Sequence, residues 1–285
     1  MIGRDKYRPQ VATSHVIEIE AAGQIRPLAY VRELWSCREL LYLLICRDVS
    51  VRYRQAAAGA LWALFKPLFS VLVLSVALGP FVRSQDLGGL PYWLYVWAGL
   101  LGWNFFADGL SRAVGSLVNQ SSTIRKVYFP RVLIPIAALG VGLADLFWPA
   151  ALLSVLAVGF GCRPGVRYLA LPIFIALAAL MALGLGLWLG AWNVRRRDVG
   201  HITPFLINLG FFCTPAAFYR PAGGAFSRLL DLNPLSQVVL GFRWVFLNQP
   251  YQGSALGPAF VLALLILVGG LAYFHRSERS FADFV

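Results

Sequence analysis

The feature that most constrains this sequence is a basic arm that leads straight into a long apolar segment. The arm carries Arg47, Arg52 and Arg54, and residues 58–81 follow with almost no polar side chain. A helix needs about 20 apolar residues to cross the hydrocarbon core of a bilayer. Basic residues beside a span stay with the anionic cytoplasmic leaflet. The stretch therefore predicts a first transmembrane helix that starts in the cytoplasm.

The composition indicates that the whole chain is an integral membrane protein. Of its 285 residues, 59% are hydrophobic and 13% are charged, and the mean hydropathy is +0.67, whereas about a quarter of a soluble domain is charged. The net charge of +12 comes largely from basic clusters at the ends of predicted spans. Such clusters orient spans, so nucleic acid is not an expected partner. Residues 1–30 contain no apolar run, and we expect no cleavable signal peptide.

The apolar pattern predicts an all-α membrane protein with six transmembrane helices. A cytoplasmic segment of residues 1–57 precedes a transmembrane domain of residues 58–285. The predicted spans cover residues 58–81, 92–118, 132–160, 169–192, 202–219 and 255–274. Basic residues concentrate in the N-terminal arm, the 119–131 loop, the block at 195–197 and the C-terminal tail, which predicts that both termini are cytoplasmic. Gly184, Gly186 and Gly190 are expected to allow close helix contact in the fourth span.

Two further segments are predicted to be helical without spanning the membrane. Residues 30–46 are too charged to span but have one apolar face, formed by Leu34, Cys37, Leu41, Leu44 and Ile45. This pattern predicts a helix in the membrane interface, and a cytoplasmic helix packed on its neighbours remains the alternative. Residues 235–247 are too few to span and predict a re-entrant helix, which Asn233 would cap. A second short helix over 225–230 would complete a pair of gate half-helices between spans 5 and 6.

Four ionisable residues fall inside predicted spans. Lys66 lies near the start of span 1, where its stem can reach the headgroups. Asp108 and Arg112 are four residues apart in span 2 and are expected to pair. Asp145 lies near the middle of span 3 without a partner in its own helix. An intramembrane carboxylate is a candidate functional group, and a hydrogen bond to a neighbouring helix is the structural alternative.

The chain contains no recognisable catalytic or metal-binding pattern. Its four cysteines and three histidines lack metal-ligand spacing, and the phosphate-binding pattern G-x-x-x-x-G-K-[ST] does not occur. We therefore expect no catalytic residue, no metal and no cofactor in this chain. A membrane-embedded glycosyltransferase would need paired carboxylates at a membrane face, and a secondary transporter would show internal repeats; neither feature is found.

Five stretches resemble the permease subunit of ABC-2 type exporters of polysaccharides such as O-antigen, capsule and teichoic acid. They lie in family order and read RDVSVRYRQAAAGALWALFKPL (47–68), RKVYFPR (125–131), RRRDVGHITPFLINLGFFCTPAAFY (195–219), NPLSQVVLGFRW (233–244) and RSERSFADFV (276–285). Thr214-Pro215-Ala216 departs from the Ser-Pro and β-branched residue expected there, which leaves the fine structure of the path open.

The resemblance implies a multi-pass protein of the bacterial inner membrane that is a transport subunit and not an enzyme. It would form a homodimer with two copies of a separate ATPase, which binds the ATP and Mg²⁺. The complex would export a polysaccharide linked to undecaprenyl diphosphate, and the 119–131 loop would form a coupling helix on the ATPase. An ABC-2 permease for a drug or a lipid is the main alternative, and an ATP-independent secondary transporter is a further one.

Three groups of residues are the candidate sites. Trp97, Trp103, Phe211, Phe212 and Trp244 are predicted to contact the transported glycan, with an aromatic belt or core packing as the alternative. Arg125, Lys126, Tyr128 and Arg131 are predicted to dock the ATPase, with plain orientation charge as the alternative. Arg47, Arg52 and Arg54 are predicted to contact the lipid pyrophosphate, since guanidinium groups suit phosphate geometry; anchoring to the anionic leaflet is the alternative.

Overall fold

The computed structural model describes residues 32, 34–55, 60–82, 87–120, 129–218, 230 and 232–278. Within these ranges the chain consists of helices and connecting turns and contains no strand, which confirms the predicted all-α class there. The predicted short helix over 225–230 lies outside the described residues except for Leu230. Most of the predicted coupling loop lies outside them as well.

The helices are numbered in chain order. They are α1 (Arg38–Gln55), α2 (Ala60–Leu78), α3 (Tyr92–Asn119), α4 (Leu133–Gly159), α5 (Leu171–Arg195), α6 (Asp198–Phe212), α7 (Pro234–Leu247) and α8 (Leu256–Glu278). Short 3₁₀ turns follow α2 at Gly79–Phe81 and precede α5 and α8 at Val166–Ala170 and Gly253–Ala255.

Four stretches of the described chain are long and apolar enough to cross a membrane. They are Leu64–Phe81, Leu133–Gly159, Val166–Arg195 and Gly253–Glu278, and they coincide with predicted spans 1, 3, 4 and 6. Helix α3, the predicted span 2, has 28 residues and is about 42 Å long at 1.5 Å per residue. Four of the predicted spans are therefore long and apolar enough to cross a membrane. The count of six spans stays a prediction.

Helix α6, the predicted span 5, differs from the prediction in both bounds. It begins at Asp198 and ends at Phe212 after 15 residues, whereas the sequence predicted 202–219. The early end has a local cause, because Pro215 lacks an N–H group and disfavours a helical residue before it. Turns occupy residues 213–218 instead. A helix of 15 residues is about 22 Å long, shorter than the hydrocarbon core.

Helix α3 is the central element of the bundle and is buried along most of its length. It packs against α2, α4, α5, α6 and α7, and α8 packs along α5. The predicted role of the span 4 glycines is confirmed at these contacts. A Cβ atom at Gly186 would lie 2.6 Å from Ala113 Cβ, and one at Gly184 would lie 2.9 Å from Leu267 N, so only glycine allows these approaches.

Helix α1 has the predicted amphipathic face but extends further than predicted. Leu44 is buried, and residues at its N-terminal end pack on a cluster that includes Leu133 and Phe274. On another face, Tyr42 and Leu43 are exposed, as is Trp35 just before the helix. The helix continues from residue 46 to Gln55 because this stretch contains no Gly or Pro to end it. The three arginines of the basic arm are therefore helical.

Helix α7 begins as the sequence predicts. The Asn233 side chain accepts a hydrogen bond from Leu235 N at 3.0 Å, and Pro234 occupies the first helical position. The helix packs against α3 and α5 and ends at Asn248, whose φ of 57° is left-handed. It is thus a short, buried helix that interrupts the series of long ones.

Candidate functional site

A charged cluster forms where α1, α3 and α4 meet around Asp145. Arg112 Nη2 donates to the carboxylate at 2.8 Å, the Tyr53 hydroxyl donates at 3.0 Å, and Arg52 Nη2 lies 3.1 Å away. The Asp145 side chain is 14% exposed. The structural alternative for Asp145, a hydrogen bond to a neighbouring helix, is confirmed. The partners come from distant parts of the sequence, which is why its own helix shows none of them.

Asp108 extends this cluster through two ion pairs. The predicted pair of Asp108 with Arg112 is present at 4.0 Å, although the guanidinium lies closer to Asp145, at 2.8 Å. Lys66 Nζ also lies 2.7 Å from Asp108 Oδ1, a partner that the sequence did not predict. Arg112 therefore lies between the two carboxylates and is nearer to Asp145.

The Tyr53 hydroxyl keeps its proton at physiological pH. Burial, and then the hydrogen bond to Asp145, raise the pKa of Tyr53 above its usual value. Tyr53 is therefore a stable donor to the Asp145 carboxylate.

A cavity of about 240 Å³ opens beside this cluster. Its charged lining consists of Arg52, Lys66, Asp108, Arg112 and Asp145, and its apolar lining includes Leu101, Phe105, Leu146 and Pro149. Helices α2 and α4 run antiparallel to α3. The contacts Lys66–Asp108 and Gly79–Tyr92 fix the direction of α2, and the contacts Arg112–Asp145 and Trp93–Phe160 fix that of α4. The polar residues Asn104 and Ser111 also line it, so polar and apolar groups alternate along its α3 wall.

The three arginines predicted to contact pyrophosphate lie in different surroundings. Arg52 lines the cavity. Arg47 pairs with Asp48 at 2.8 Å and donates to Gln120 at 3.2 Å, at the end of α3. Arg54 is exposed on α1. The structure thus brings only Arg52 of the three to the cavity.

The five aromatic residues predicted to contact the glycan fall into three groups. Trp97 is 1% exposed and stands beside Trp93 in the core. Trp103 contacts Phe211, which in turn contacts Phe212, with ring centroids 5.7 and 5.5 Å apart. Trp244 packs against Phe174 and Tyr251. Phe212 is the most exposed of the five side chains, at 71%. Contact of these five rings with the glycan stays a prediction.

Of the predicted ATPase-docking residues, Arg131 is within the described part, and Arg125, Lys126 and Tyr128 lie outside it. Arg131 Nη1 donates to Glu278 O at 2.9 Å, and its backbone N–H donates to the Glu278 carboxylate at 3.3 Å. Arg131 therefore joins the start of α4 to the end of α8 within this chain.

Arg243 on α7 is a buried polar residue that the sequence analysis did not single out. It is 1% exposed, and it donates to Tyr95 O at 3.3 Å, to the Tyr95 hydroxyl at 2.9 Å and to Ala216 O at 2.8 Å. Its guanidinium carbon also lies 3.7 Å from the centre of the Tyr95 ring. A charged residue in the middle of a short apolar helix was the signal in the sequence that could have identified it.

These contacts join three parts of the fold. Arg243 belongs to α7, Tyr95 to α3, and Ala216 to the turns after α6. A Cβ atom at Gly99 would lie 2.7 Å from Ala216 O and 2.8 Å from Arg243 Nη2, so this junction requires glycine there. Asn233 Nδ2 adds a bond to Cys213 O at 3.0 Å. The end of α6 and the whole of α7 are thus held together.

Comparison with known proteins gives consistent matches along most of the chain. Residues 39–247 match the family described as ABC-2 type transporter. The O-antigen export system permease protein RfbA of Myxococcus xanthus is 27% identical over 257 residues, which cover 89% of this chain and 98% of that protein. A protein of the same name from Klebsiella pneumoniae is 26% identical over 249 residues, covering 86% and 94% of the two chains.

Proposed function

The chain belongs to the ABC-2 type transporter family, and on this premise we propose that it is the membrane subunit of an ATP-driven polysaccharide exporter. Its cargo is a glycan such as O-antigen on an undecaprenyl diphosphate carrier. The observation that carries the proposal is the match to permeases named for O-antigen export over 94–98% of their lengths. The apolar helices support a multi-pass protein of the inner membrane.

Energy for transport comes from a separate subunit in this proposal. The sequence lacks the G-x-x-x-x-G-K-[ST] pattern that would bind ATP phosphates. As the family resemblance implies, two copies of this chain assemble with two ATPase subunits, which bind ATP and Mg²⁺. Helix α3 and the segment that begins with α6 join the four candidate spans in this proposal, which gives six spans. Both termini are then cytoplasmic, and α7 contributes to an outer gate.

The contacts around the 119–131 loop support its role in coupling. Gln120, at the start of the loop, accepts from Arg47 and donates to Asp48 on α1 at 3.2 Å each. Arg131, at its end, is bonded to Glu278 on α8. When the ATPase dimer closes and pushes this loop, α1, α3, α4 and α8 receive the displacement directly, and the path opens between the two copies.

Co-purification with the ATPase tests this function. We expect a stable complex with ATP hydrolysis, and loss of surface glycan when the gene is deleted from its host. Changing Arg125 and Lys126 to Ala should weaken assembly or hydrolysis several-fold, whereas Arg163→Ala, which alters an exposed arginine on the predicted outer side, should not. Normal surface glycan in the deletion strain would refute the polysaccharide cargo. Solute transport by the purified chain without ATP would refute the exporter class.

A further inference from the structure

We propose that an acyl chain of a bilayer phospholipid binds in an apolar crevice formed by α3, α5, α6 and α8, where it supports the second half of α6. The crevice has a volume of about 690 Å³, within the range of about 300–1,000 Å³ that is usual for ligand pockets. It is separate from the charged cavity beside Asp145. The site lies outside the machinery of the proposed function and concerns a lipid that stays bound.

The lining of the crevice is chemically suited to hydrocarbon. Every residue that lines it is apolar or glycine, and α3 contributes Trp103, Phe106 and Leu110. The indole N–H of Trp188 donates to Ile266 O at 3.2 Å and is thus already bonded within the protein. A water molecule in a cavity needs two to four polar partners. The crevice therefore favours a hydrocarbon chain over water or a lipid headgroup.

The depth of the crevice agrees with this ligand. Its α5 and α8 walls belong to the stretches Val166–Arg195 and Gly253–Glu278, which are long and apolar enough to cross a membrane. Leu265 and Ile266 are the two central residues of the second stretch and line the crevice. They lie about 18 Å from either end of that stretch at 1.5 Å per residue. This is the level of the acyl chains in a hydrocarbon core about 30 Å thick.

The second half of α6 lacks close packing at this crevice. The buried residues of α6 are Val199 and Thr203, and both lie in its first half. Leu206, which lines the crevice, is 43% exposed. A void beside a helix removes the van der Waals contacts on which helix association in a membrane depends. A bound chain supplies these contacts just before the turns that Arg243 holds.

A single chain fits the available space better than a helix of a second copy. The α3 wall extends from Trp103 to Leu110, which is about 10 Å along the helix axis. A helix is about 10–12 Å across, so this length of one occupies about 800–1,200 Å³. That exceeds the volume of about 690 Å³ in the crevice. A phospholipid chain is thinner and is present at this depth on all sides of the protein.

Retention of phospholipid through extensive detergent washing tests the site. The full-length chain would be purified from its membrane, and its bound lipids would be identified by native mass spectrometry. We expect about one phospholipid per chain to remain. Leu185→Trp places an indole in the crevice from α5 and should lower the retained phospholipid at least about fivefold, because the space is then filled. The matched control Leu264→Trp alters a residue of α8 that is 47% exposed and does not line the crevice, and it should retain phospholipid within about twofold of the wild type.

Two further arms separate lipid loss from a folding defect. Leu206→Trp fills the crevice from its exposed side on α6 and should lose phospholipid in the same way. Phosphatidylethanolamine added to the delipidated protein should raise the unfolding temperature of the wild type and of Leu264→Trp, because a ligand stabilises the state that binds it. It should leave the unfolding temperature of both filled variants unchanged.

Several outcomes would overturn the assignment. They are a wild type without retained phospholipid, full retention in both filled variants, and equal loss in Leu264→Trp. Retention of an undecaprenyl lipid in place of phospholipid would assign the crevice to the carrier. Loss of the dimer in the filled variants, with phospholipid unchanged, would instead place a second copy in the crevice.

Discussion

At the scale of single residues, Arg243 is the most deeply buried charged side chain in the described part of the chain. All its described contacts are to neutral groups, namely two backbone carbonyls, one hydroxyl and one ring. Replacing Arg243 with Met would remove these three hydrogen bonds and would take from Ala216 O the donor that reaches it from α7. A buried carbonyl that loses its donor costs about 1–3 kcal/mol.

We therefore expect Arg243→Met to lower stability by about 2–4 kcal/mol, measured as a fall in the unfolding temperature in detergent. Arg163→Met, an exposed substitution of the same type, should change it by less than about 0.5 kcal/mol. Equal unfolding temperatures for the two variants would show that Arg243 does not hold the junction together.

Gly99 gives a steric test of the same junction. Gly99→Ala places a methyl group 2.7 Å from Ala216 O and 2.8 Å from Arg243 Nη2, so α3 must move away from the turns after α6. We expect a loss of about 1–3 kcal/mol, again from thermal unfolding. In Gly257→Ala, where the new methyl group meets nothing within 4 Å, stability should be unchanged or slightly higher. An unchanged unfolding temperature in Gly99→Ala would show that α3 and the turns after α6 are not packed this closely at Gly99.

Residue-level prediction from the sequence succeeded where the cause is local. The cap at Asn233 and the small-residue contacts at Gly184 and Gly186 follow from a few adjacent residues. The partners of Asp145 could not be predicted, because Tyr53 and Arg112 reach it only after α1 and α3 have packed on α4. Arg243 was missed for the same reason, since its acceptors lie on two other elements.

At the scale of elements, the location of α1 relative to the membrane follows from its two different faces. One face packs on α4, while Trp35, Tyr42 and Leu43 are exposed. Exposed aromatic and aliphatic groups beside arginines are typical of a helix in the membrane interface. The cytoplasmic alternative would leave these groups in water.

Spin labels on α1 decide between these locations. In a cysteine-free background reconstituted in lipid, a label at Leu43→Cys should be relaxed mainly by oxygen, which dissolves in the bilayer. A label at Arg54→Cys, on a more basic part of the helix surface, should be relaxed mainly by a water-soluble nickel chelate. Relaxation of both labels by the chelate alone would place α1 in the cytoplasm.

Element boundaries were predictable as far as proline, glycine and apolar length determine them. Helices α3, α4 and α7 begin and end within about two residues of the predicted positions. The early end of α6 at Phe212 depends on Pro215, whose effect the apolar run concealed. The extension of α1 to Gln55 was missed because a basic arm was interpreted as the end of a helix, although it contains no Gly or Pro and its arginines and Gln55 favour a helix.

At the scale of the whole molecule, α2 is the apolar helix whose side chains pack least closely against the rest of the described chain. It contacts mainly α3 and α4, and Phe65, Phe69, Leu72 and Val76 are exposed. Helix association in a membrane depends on close packing, because lipid removes most of the hydrophobic driving force. Helix α8 also exposes apolar residues but packs closely along α5, where a Cβ atom at Gly270 would lie 2.5 Å from Gly184 O. Helix α2 is therefore the helix that we expect to contact the second copy in the proposed homodimer.

Disulfide crosslinking in membranes tests this homodimer contact. All four native cysteines are free thiols and can be replaced before a single cysteine is introduced. We expect Leu72→Cys on α2 to form a disulfide-linked dimer on mild oxidation, because the α2 helices of two copies approach each other along the proposed path. Leu265→Cys on α8, which is 64% exposed against 59% for Leu72, should remain monomeric because it faces lipid. Efficient crosslinking at Leu265 with none at Leu72 would move the interface to α8, and a path between the two α2 helices would then be impossible.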